Sequence, residues 1–126
     1  MSDLPPLTTD TIQSILDETL DDQTLHRLVW DCLGYTYDET SQRWNSDQAD
    51  FVWQEKYPTK PPEFIESRPA TVQLTRSIPK EHKGLLKDKM GFKGYTIDQL
   101  VPRLTRRATM ASWLLSYMAQ NDLLEV

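Results

Sequence analysis

Cysteine and histidine are scarce in this sequence, and their scarcity excludes several kinds of site. Among 126 residues there is one cysteine, Cys32, so no disulfide can form within the chain. A lone cysteine is more typical of a reducing compartment than of a secreted protein. No spacing of cysteine, histidine or acidic residues suits a bound metal ion. We therefore expect neither a metal site nor a cofactor.

Catalytic signatures are missing as well. The chain has no Gly-x-Ser-x-Gly stretch, and nothing around Cys32 matches a nucleophilic cysteine motif. Cys32 falls on the apolar face of a predicted helix, which favours a buried, inert thiol. His26 follows Asp21 and Asp22 near a helix start, which favours a surface histidine over a catalytic base. We expect a protein that is not an enzyme, with an enzyme that lacks a recognisable signature as the third alternative.

Long apolar runs and a secretory leader are also lacking. No window approaches the roughly 18 consecutive apolar residues of a transmembrane helix, so we expect no membrane span. The first residues, MSDLPPLTTD, carry an acid and two prolines where a signal peptide has lysines and an apolar stretch. We expect a cytoplasmic protein with a single domain over residues 1–126, in which residues 1–7 form a flexible tail.

What the chain does contain is an ordinary globular composition with a lopsided charge. It is 38% hydrophobic and 26% charged, with a net charge of −5. Residues 1–55 hold twelve acids against two bases, a balance of −10, and residues 56–126 hold twelve bases against seven acids, a balance of +5. The two halves either face and neutralise each other, which we favour, or form a bipolar surface that attracts an anionic partner.

Hydrophobic periodicity predicts two helices, a hairpin and a third helix in the first half. Apolar residues at helical spacing predict one helix over residues 9–20 and a second helix that is capped by Asp22 or Thr24 and ends at Gly34. The alternation after residue 34 predicts a β-hairpin with its loop at residues 38–42. Residues 46–57 fit a helix capped by Ser46 or a strand, and the acids of SDQAD favour the helix.

The second half begins with four prolines in PTKPPEFIESRP, which predict an extended, irregular connection. ATVQLTRSI alternates apolar and polar residues and predicts a strand over residues 70–78. A short helix is expected over residues 79–90, closed by Gly91. Thr96 and Gln99 form a predicted capping box for a last helix. Pro102 lies inside its pattern, so either two helices meet there or one long helix is kinked.

These elements predict an α+β fold: a mainly helical single domain with a small antiparallel sheet. In the last helix, Leu104, Ala108 and Leu115 belong to an apolar stripe that we expect to be buried. Arg103, Arg106 and Arg107 share a helix face at i, i+3 and i+4, and we expect their guanidinium groups to stay in water.

The basic tract over residues 80–107 supports one functional hypothesis. Its candidate anion-binding residues are Lys87, Lys93, Arg103, Arg106 and Arg107. Such a surface fits nucleic acid or a phosphorylated ligand. Two observations oppose it: the whole chain is acidic, and the residues after Thr109 lack the side chains that read base edges. Binding of nucleic acid or a phosphorylated ligand is therefore the second alternative.

Aromatic residues support the leading hypothesis. The chain has four tryptophans and five tyrosines, and Trp44, Trp53 and Tyr57 surround an acidic stretch. Partly exposed aromatic rings with nearby arginines are typical anchors of protein interfaces. We therefore predict a non-catalytic protein-binding or assembly factor whose partner is another protein, contacted by Trp44, Trp53 and Tyr57 together with the cations of residues 80–107.

Three stretches also carry a resemblance: VWDCLGYTYDETSQRW, FIESRPATVQLTRSIPKEHKGLLK and LTRRATMASWLL. Together they resemble a family of small soluble proteins of unknown function from cyanobacteria and chloroplast-bearing organisms, over residues 7–118. The resemblance implies a cyanobacterial cytoplasm or a plastid stroma. The family has no established activity, so the resemblance implies no functional residue.

Overall fold

Helices dominate the structure, a computed structural model that describes residues 4–99 and 101–123. Within these residues the chain forms six α-helices, two short 3-10 turns and one two-stranded antiparallel sheet. The predicted α+β class is confirmed. The elements are α1 (Thr9–Leu16), α2 (Asp22–Leu33), β1 (Thr36–Asp38), β2 (Arg43–Asn45), α3 (Phe51–Lys56), α4 (Arg68–Arg76), α5 (Leu85–Met90) and α6 (Pro102–Gln120), with the 3-10 turns at Lys80–His82 and Ile97–Gln99.

The first two helices form the expected pair, each with a polar N-cap. The Thr8 hydroxyl accepts the Thr11 amide at the start of α1, and the Asp21 carboxylate accepts the Thr24 amide at the start of α2. Gly34 ends α2 in the left-handed conformation at φ +107°. Helix α1 ends at Leu16, earlier than predicted, because the chain turns through Glu18 at φ +67°.

The hairpin and α3 are also present as predicted. Strands β1 and β2 pair antiparallel with Tyr37 opposite Trp44. The ambiguous stretch is helical, but α3 begins after Asp50 and not at Ser46. The Ser46 hydroxyl instead donates to the carbonyl of Pro58 at 2.9 Å, which joins the two ends of this segment.

The predicted strand over residues 70–78 is wrong, because this stretch is helix α4. Ser67 caps the helix by accepting the Ala70 amide, and Pro69 occupies its first turn. Ala70 and Leu74 are one turn apart and fully buried, whereas Val72 points away from the core and is 37% exposed. The alternation of Val72 and Leu74 resembled a strand, but burial follows the helical period.

Near Pro102 the chain takes the two-segment arrangement. A 3-10 turn at Ile97–Gln99 precedes α6, which begins at Pro102 and runs 19 residues to Gln120. Proline is tolerated here because the first residue of a helix needs no amide donor. Leu100 and the side chain of Gln99 lie outside the described residues, so the predicted capping box is not described.

Helix α6 lies at the centre of the fold and packs against α1, α2, α4 and α5. Its predicted stripe faces inward: Leu115 is fully buried, Leu104 is buried and Ala108 is half-buried. Leu4 and Leu7 also pack against this core, while residues 1–3 lie outside the described part. Among the described helices, none is long and apolar enough to cross a membrane.

Candidate functional site

A mainly apolar depression on the described surface lies between α3 and α4. We call it the α3–α4 groove; it has a volume of about 440 Å³ and is lined by Phe51, Val52, Glu55, Lys56, Gln73, Arg76 and Ser77. It continues into a second depression of about 290 Å³ along α4, which adds Arg68, Pro69 and Val72. The two depressions share Lys56, Gln73 and Arg76, so they form one continuous face.

The apolar side chains of this groove are unusually exposed. Phe51 is 72% exposed and Val52 is 53% exposed, next to the 37% exposed Val72 across the groove. A Phe side chain that is removed from water gains about 2–3 kcal/mol, which these residues do not obtain within the chain. A cluster of exposed apolar side chains between polar rims is typical of an interaction surface.

Helix α3 holds Phe51 and Val52 outward because its other face is firmly anchored. Trp53 is 1% exposed, and its ring meets the Phe64 ring edge-to-face at 5.8 Å. The Tyr35 hydroxyl donates to the carbonyl of Tyr57 at 2.8 Å and lies 3.3 Å from that of Trp53. Burial raises the pKa of Tyr35 to about 12, so this hydroxyl remains a donor at neutral pH. The groove therefore has a fixed wall.

Three cations border the groove. Lys56 ends α3, while Arg68 and Arg76 stand at the two ends of α4. Among the described residues, none of the three forms an ion pair with an acidic side chain. Glu55 is the single acid among the lining residues. The rim thus carries a net positive charge that is available to a partner.

The structure does not bring the three predicted aromatic contacts to one surface. Trp53 is buried and presents no surface to a partner, and Tyr57 is half-buried behind α3. Trp44 is half-buried on the hairpin, where its ring packs against Trp30 at 5.3 Å and Tyr37 at 5.2 Å. Sequence reasoning missed Phe51, although its place opposite Trp53 on a short helix was the available signal.

The arginine face of α6 differs from the prediction. Arg107 was expected in water, but its side chain is 0% exposed, and this expectation is wrong. Its guanidinium donates to the Asp22 carboxylate at 2.5 Å and to the carbonyls of Leu20 at 2.5 Å and Ile15 at 3.2 Å. The cause is the junction of α1 and α2, where the carbonyls of Ile15 and Leu20 and the acid Asp22 face α6 and need donors.

Arg103 belongs to the same cluster but lies at its edge. It donates to Glu18 at 2.7 Å and to both oxygens of Asp22 at 3.0 Å. Burial would raise the pKa of Asp22, but the hydrogen bonds and charges of Arg103 and Arg107 outweigh it and lower that pKa. The hydrogen bonds to Asp22 and Glu18 raise the pKa of Arg103 in turn. The acidic and basic halves of the chain therefore meet at this cluster.

The remaining candidates for anion binding are divided. Arg106 is half-buried and donates to the carbonyl of Ile65 at 2.8 Å, so its guanidinium also serves the fold. Lys87 on α5 and Lys93 in the following loop are exposed. Of the five predicted anion-binding residues, these two lysines present their charge to solvent without an ion pair among the described residues.

His26 and Cys32 are structural in this fold. His26 was expected at the surface, but it is 9% exposed, its ring stacks on Trp30 at 5.4 Å, and its Nε2 accepts the Ile65 amide at 3.3 Å. Burial lowers its pKa and so favours the neutral ring that this bond requires. Cys32 is partly exposed, and burial raises its pKa to about 12, so its thiol stays protonated at neutral pH.

One serine–histidine pair invites comparison with a nucleophile and its base. Nδ1 of His82 lies 2.9 Å from the hydroxyl of Ser116 on α6. Ser116 is 1% exposed and also accepts a hydrogen bond from Gln120 at 2.9 Å, so its hydroxyl is closed to a substrate. Within the described residues, no three His, Cys, Asp or Glu side chains are grouped to hold a metal ion.

The fold and the groove define a small, mainly helical α+β domain whose candidate site is an open surface. The chain belongs to the family described as Domain of unknown function (DUF1823), whose model matches residues 6–119. The predicted membership of a family of unknown function is confirmed. A solution NMR structure is similar, with 48% sequence identity, a TM-score of 0.81, and coverage of 97% of this chain and 99% of that chain. No curated protein matches this chain.

Proposed function

We propose that this chain is a non-catalytic protein-binding domain that docks its partner in the α3–α4 groove. The partner would be another protein, met in a reducing cyanobacterial cytoplasm or plastid stroma, as the family resemblance implies. In this role the domain works as an assembly factor and transforms no substrate. The groove takes the place of Trp44, Trp53 and Tyr57 as the contact surface, while the rim cations Lys56, Arg68 and Arg76 supply its charge.

One observation supports this proposal above the others. Phe51, at 72% exposure, and Val52 lie on the fixed wall formed by α3, Val72 lies on α4, and nothing within the described chain covers these three side chains. Protein interfaces concentrate binding free energy in a few apolar and aromatic side chains surrounded by polar residues. The groove has the same composition, since its lining combines the Phe51 ring and two valines with charged side chains.

The test places a photoreactive benzoylphenylalanine at position 51 and cross-links the protein in cell lysate. The matched control carries the same group at Tyr37, which is 47% exposed on the hairpin, away from the groove residues. We expect a discrete protein adduct from position 51 that is absent from position 37. The adduct should be lost when the labelled protein also carries Val72→Asp. It should also be lost when excess unlabelled wild-type protein competes for the partner.

Two results would count against the groove as the docking site. One is equal cross-linking from positions 51 and 37, which would indicate a non-specific contact. The other is a specific adduct that survives Val52→Asp/Val72→Asp, because those changes introduce charge into the apolar floor. Thermal melting of each variant separates lost binding from lost folding.

A second candidate function, binding of nucleic acid or a phosphorylated ligand, has support from the lysines alone. Lys80, Lys83, Lys87, Lys89 and Lys93 are all exposed and lie within fourteen residues. Phosphate binding by such a surface weakens steeply as salt rises. The test compares the affinities of wild type and Lys87→Glu/Lys93→Glu for a fluorescent oligonucleotide. An affinity that changes neither with the substitution nor with added salt would contradict this second function.

A further inference from the structure

We infer that the partner segment is an acidic amphipathic helix, with apolar side chains in the α3–α4 groove and carboxylates on the rim cations. This inference rests on the proposed protein-binding function and adds the chemistry of the segment that the groove accepts. It follows from four features of the groove: the sign of its charge, its length between two helices, the spacing of its two arginines, and the position of Glu55.

The sign of the rim charge favours an acidic segment. Lys56, Arg68 and Arg76 border the groove without an ion pair among the described residues, although the chain as a whole has a net charge of −5. By contrast, Arg103 and Arg107 on α6 are already paired with acids of this chain. Cations that remain unpaired beside exposed apolar residues complement a partner that carries carboxylates beside its own apolar residues.

The shape of the groove favours a helix. Helix α4 has nine residues and so offers a wall of about 13 Å at 1.5 Å per residue. That length matches two to three turns of a partner helix, whose apolar face presents residues at i, i+3, i+4 and i+7. A nucleic acid fits poorly, because the lining includes the apolar side chains of Phe51, Val52 and Val72 and its three cations are accompanied by Glu55.

The spacing of the arginines sets the spacing of the partner's acids. Arg68 and Arg76 are eight residues apart on α4, or about 12 Å along its axis. Guanidinium groups bind carboxylates in a two-pronged geometry, so each end of the groove accepts one acidic side chain. A partner helix of either direction can contact both arginines if it carries two acidic residues, Asp or Glu, about seven or eight residues apart.

Glu55 makes the rim asymmetric. It lines the groove beside Lys56 and Arg76 but is absent from the depression that holds Arg68. A partner carboxylate close to Glu55 would be repelled, whereas one close to Arg68 would meet no acid among the lining residues. We therefore expect a basic or neutral residue opposite Glu55, while the two acids of the segment lie on Arg68 and Arg76.

The experiment selects binders from a displayed library of helical peptides with randomised outward positions. Full-length wild type is panned in parallel with Arg68→Glu/Arg76→Glu, and Phe51→Asp serves as the control without an intact apolar floor. We expect wild type to enrich peptides with an apolar stripe and acids seven or eight residues apart. The charge-reversed variant should enrich lysine or arginine at those positions, with at least a tenfold exchange of preference between the two peptide classes.

The outcomes separate this inference from the proposed function. Two results would overturn the inference and leave a protein-binding groove in place: groove-dependent peptides with no excess of acids, or the same peptides selected by wild type and by the charge-reversed variant. A selection that yields no binders, together with a specific photo-adduct at position 51, would also overturn the inference but not the proposed function. Concentration-dependent self-association that Phe51→Asp abolishes would assign the groove to a second copy and would also overturn it.

Discussion

Arg107 on α6 and Asp22 at the start of α2 are joined by a 2.5 Å hydrogen bond, although 85 residues separate them. The arginine side chain is 0% exposed, whereas that of Asp22 is 37% exposed. The guanidinium also donates to the carbonyls of Ile15 near the end of α1 and Leu20 in the following turn, while its Nε is buried without a hydrogen-bond partner among the described residues. This relationship explains why a basic residue occupies the core-facing side of the last helix.

The first prediction concerns this ion pair. Asp22→Asn should lower the free energy of unfolding by about 2–4 kcal/mol, because it leaves the buried Arg107 without a counter-charge; partial exposure of Asp22 keeps the loss below that of a fully buried pair. Urea denaturation measures it. The matched control is Glu18→Gln, which removes the exposed pair with Arg103 and should cost about 0–1 kcal/mol. Equal losses in the two variants would contradict a special role for Arg107.

The second prediction concerns pH. Burial places the pKa of His26 in the folded protein below its usual 6.5, so the unfolded chain binds the proton more readily. The free energy of unfolding should therefore fall as pH drops below about 6.5, down to the folded pKa. Near the ring, Glu63, Asp22 and Glu66 oppose the shift, while Arg107 supports it.

The measurement is urea denaturation of wild type and His26→Gln between pH 5 and 7.5. Glutamine does not titrate, and its amide oxygen can accept the Ile65 amide in place of the ring nitrogen. We expect the slope of stability against pH to be smaller in the variant over this window. Parallel curves for the two proteins would show that His26 makes no contribution to the slope.

The third prediction concerns the two glycines that end α2 and α5. Gly34 has φ +107°, and an added Cβ would lie 2.3 Å from the carbonyl oxygen of Gln48. Gly34→Ala should therefore cost about 2–4 kcal/mol, from the left-handed backbone and the clash together. Gly91 has φ +66° but no atom within 4 Å of the added Cβ, so Gly91→Ala should cost about 1 kcal/mol. Thermal denaturation of both variants tests the difference.

The fourth prediction compares two neighbours on α3. Trp53→Ala should destabilise the fold by about 3–5 kcal/mol, because this ring is buried in the core. Phe51→Asp should change stability by less than about 0.5 kcal/mol, because Phe51 is 72% exposed. Circular dichroism melting curves distinguish them. A destabilised Phe51→Asp would show that this ring supports the fold and is not free to meet a partner.

The sequence predicted those elements whose signals are local. Gly34 ends α2 as predicted, whereas the N-cap of α2 is Asp21 and not the predicted Asp22 or Thr24. Pro102 begins α6, which is one of the two arrangements that the proline allowed. Ser67 and Pro69 are the same kind of local signal at the start of α4. The alternation of apolar and polar residues around Val72 and Leu74 nevertheless led to the wrong prediction of a strand. Tertiary burial decided between the two periods.

The candidate site was less accessible to sequence reasoning. Which side of α3 faces the core depends on Phe64 and Tyr35, which reach it from elsewhere in the chain. The helical period therefore places Phe51 and Trp53 on opposite sides of α3 but does not decide which of the two is buried. The burial of Arg107 depends likewise on the carbonyls of Ile15 and Leu20, which lie more than 80 residues away along the chain. The sequence shows where the basic residues are but not which of them the fold buries or pairs with its own acids.

The irregular segment between α3 and α4 has a larger part in the fold than its prolines suggest. Trp30 of α2 donates to the carbonyl of Pro62, Thr71 of α4 to that of Phe64, and Arg106 of α6 to that of Ile65. Side chains from three helices thus donate to one short stretch of backbone, residues 62–65. Each hydrogen bond helps to hold this backbone in the position that the other two require. Losses at Trp30, Thr71 and Arg106 will not sum independently: thermodynamic coupling will extend between side chains that never touch.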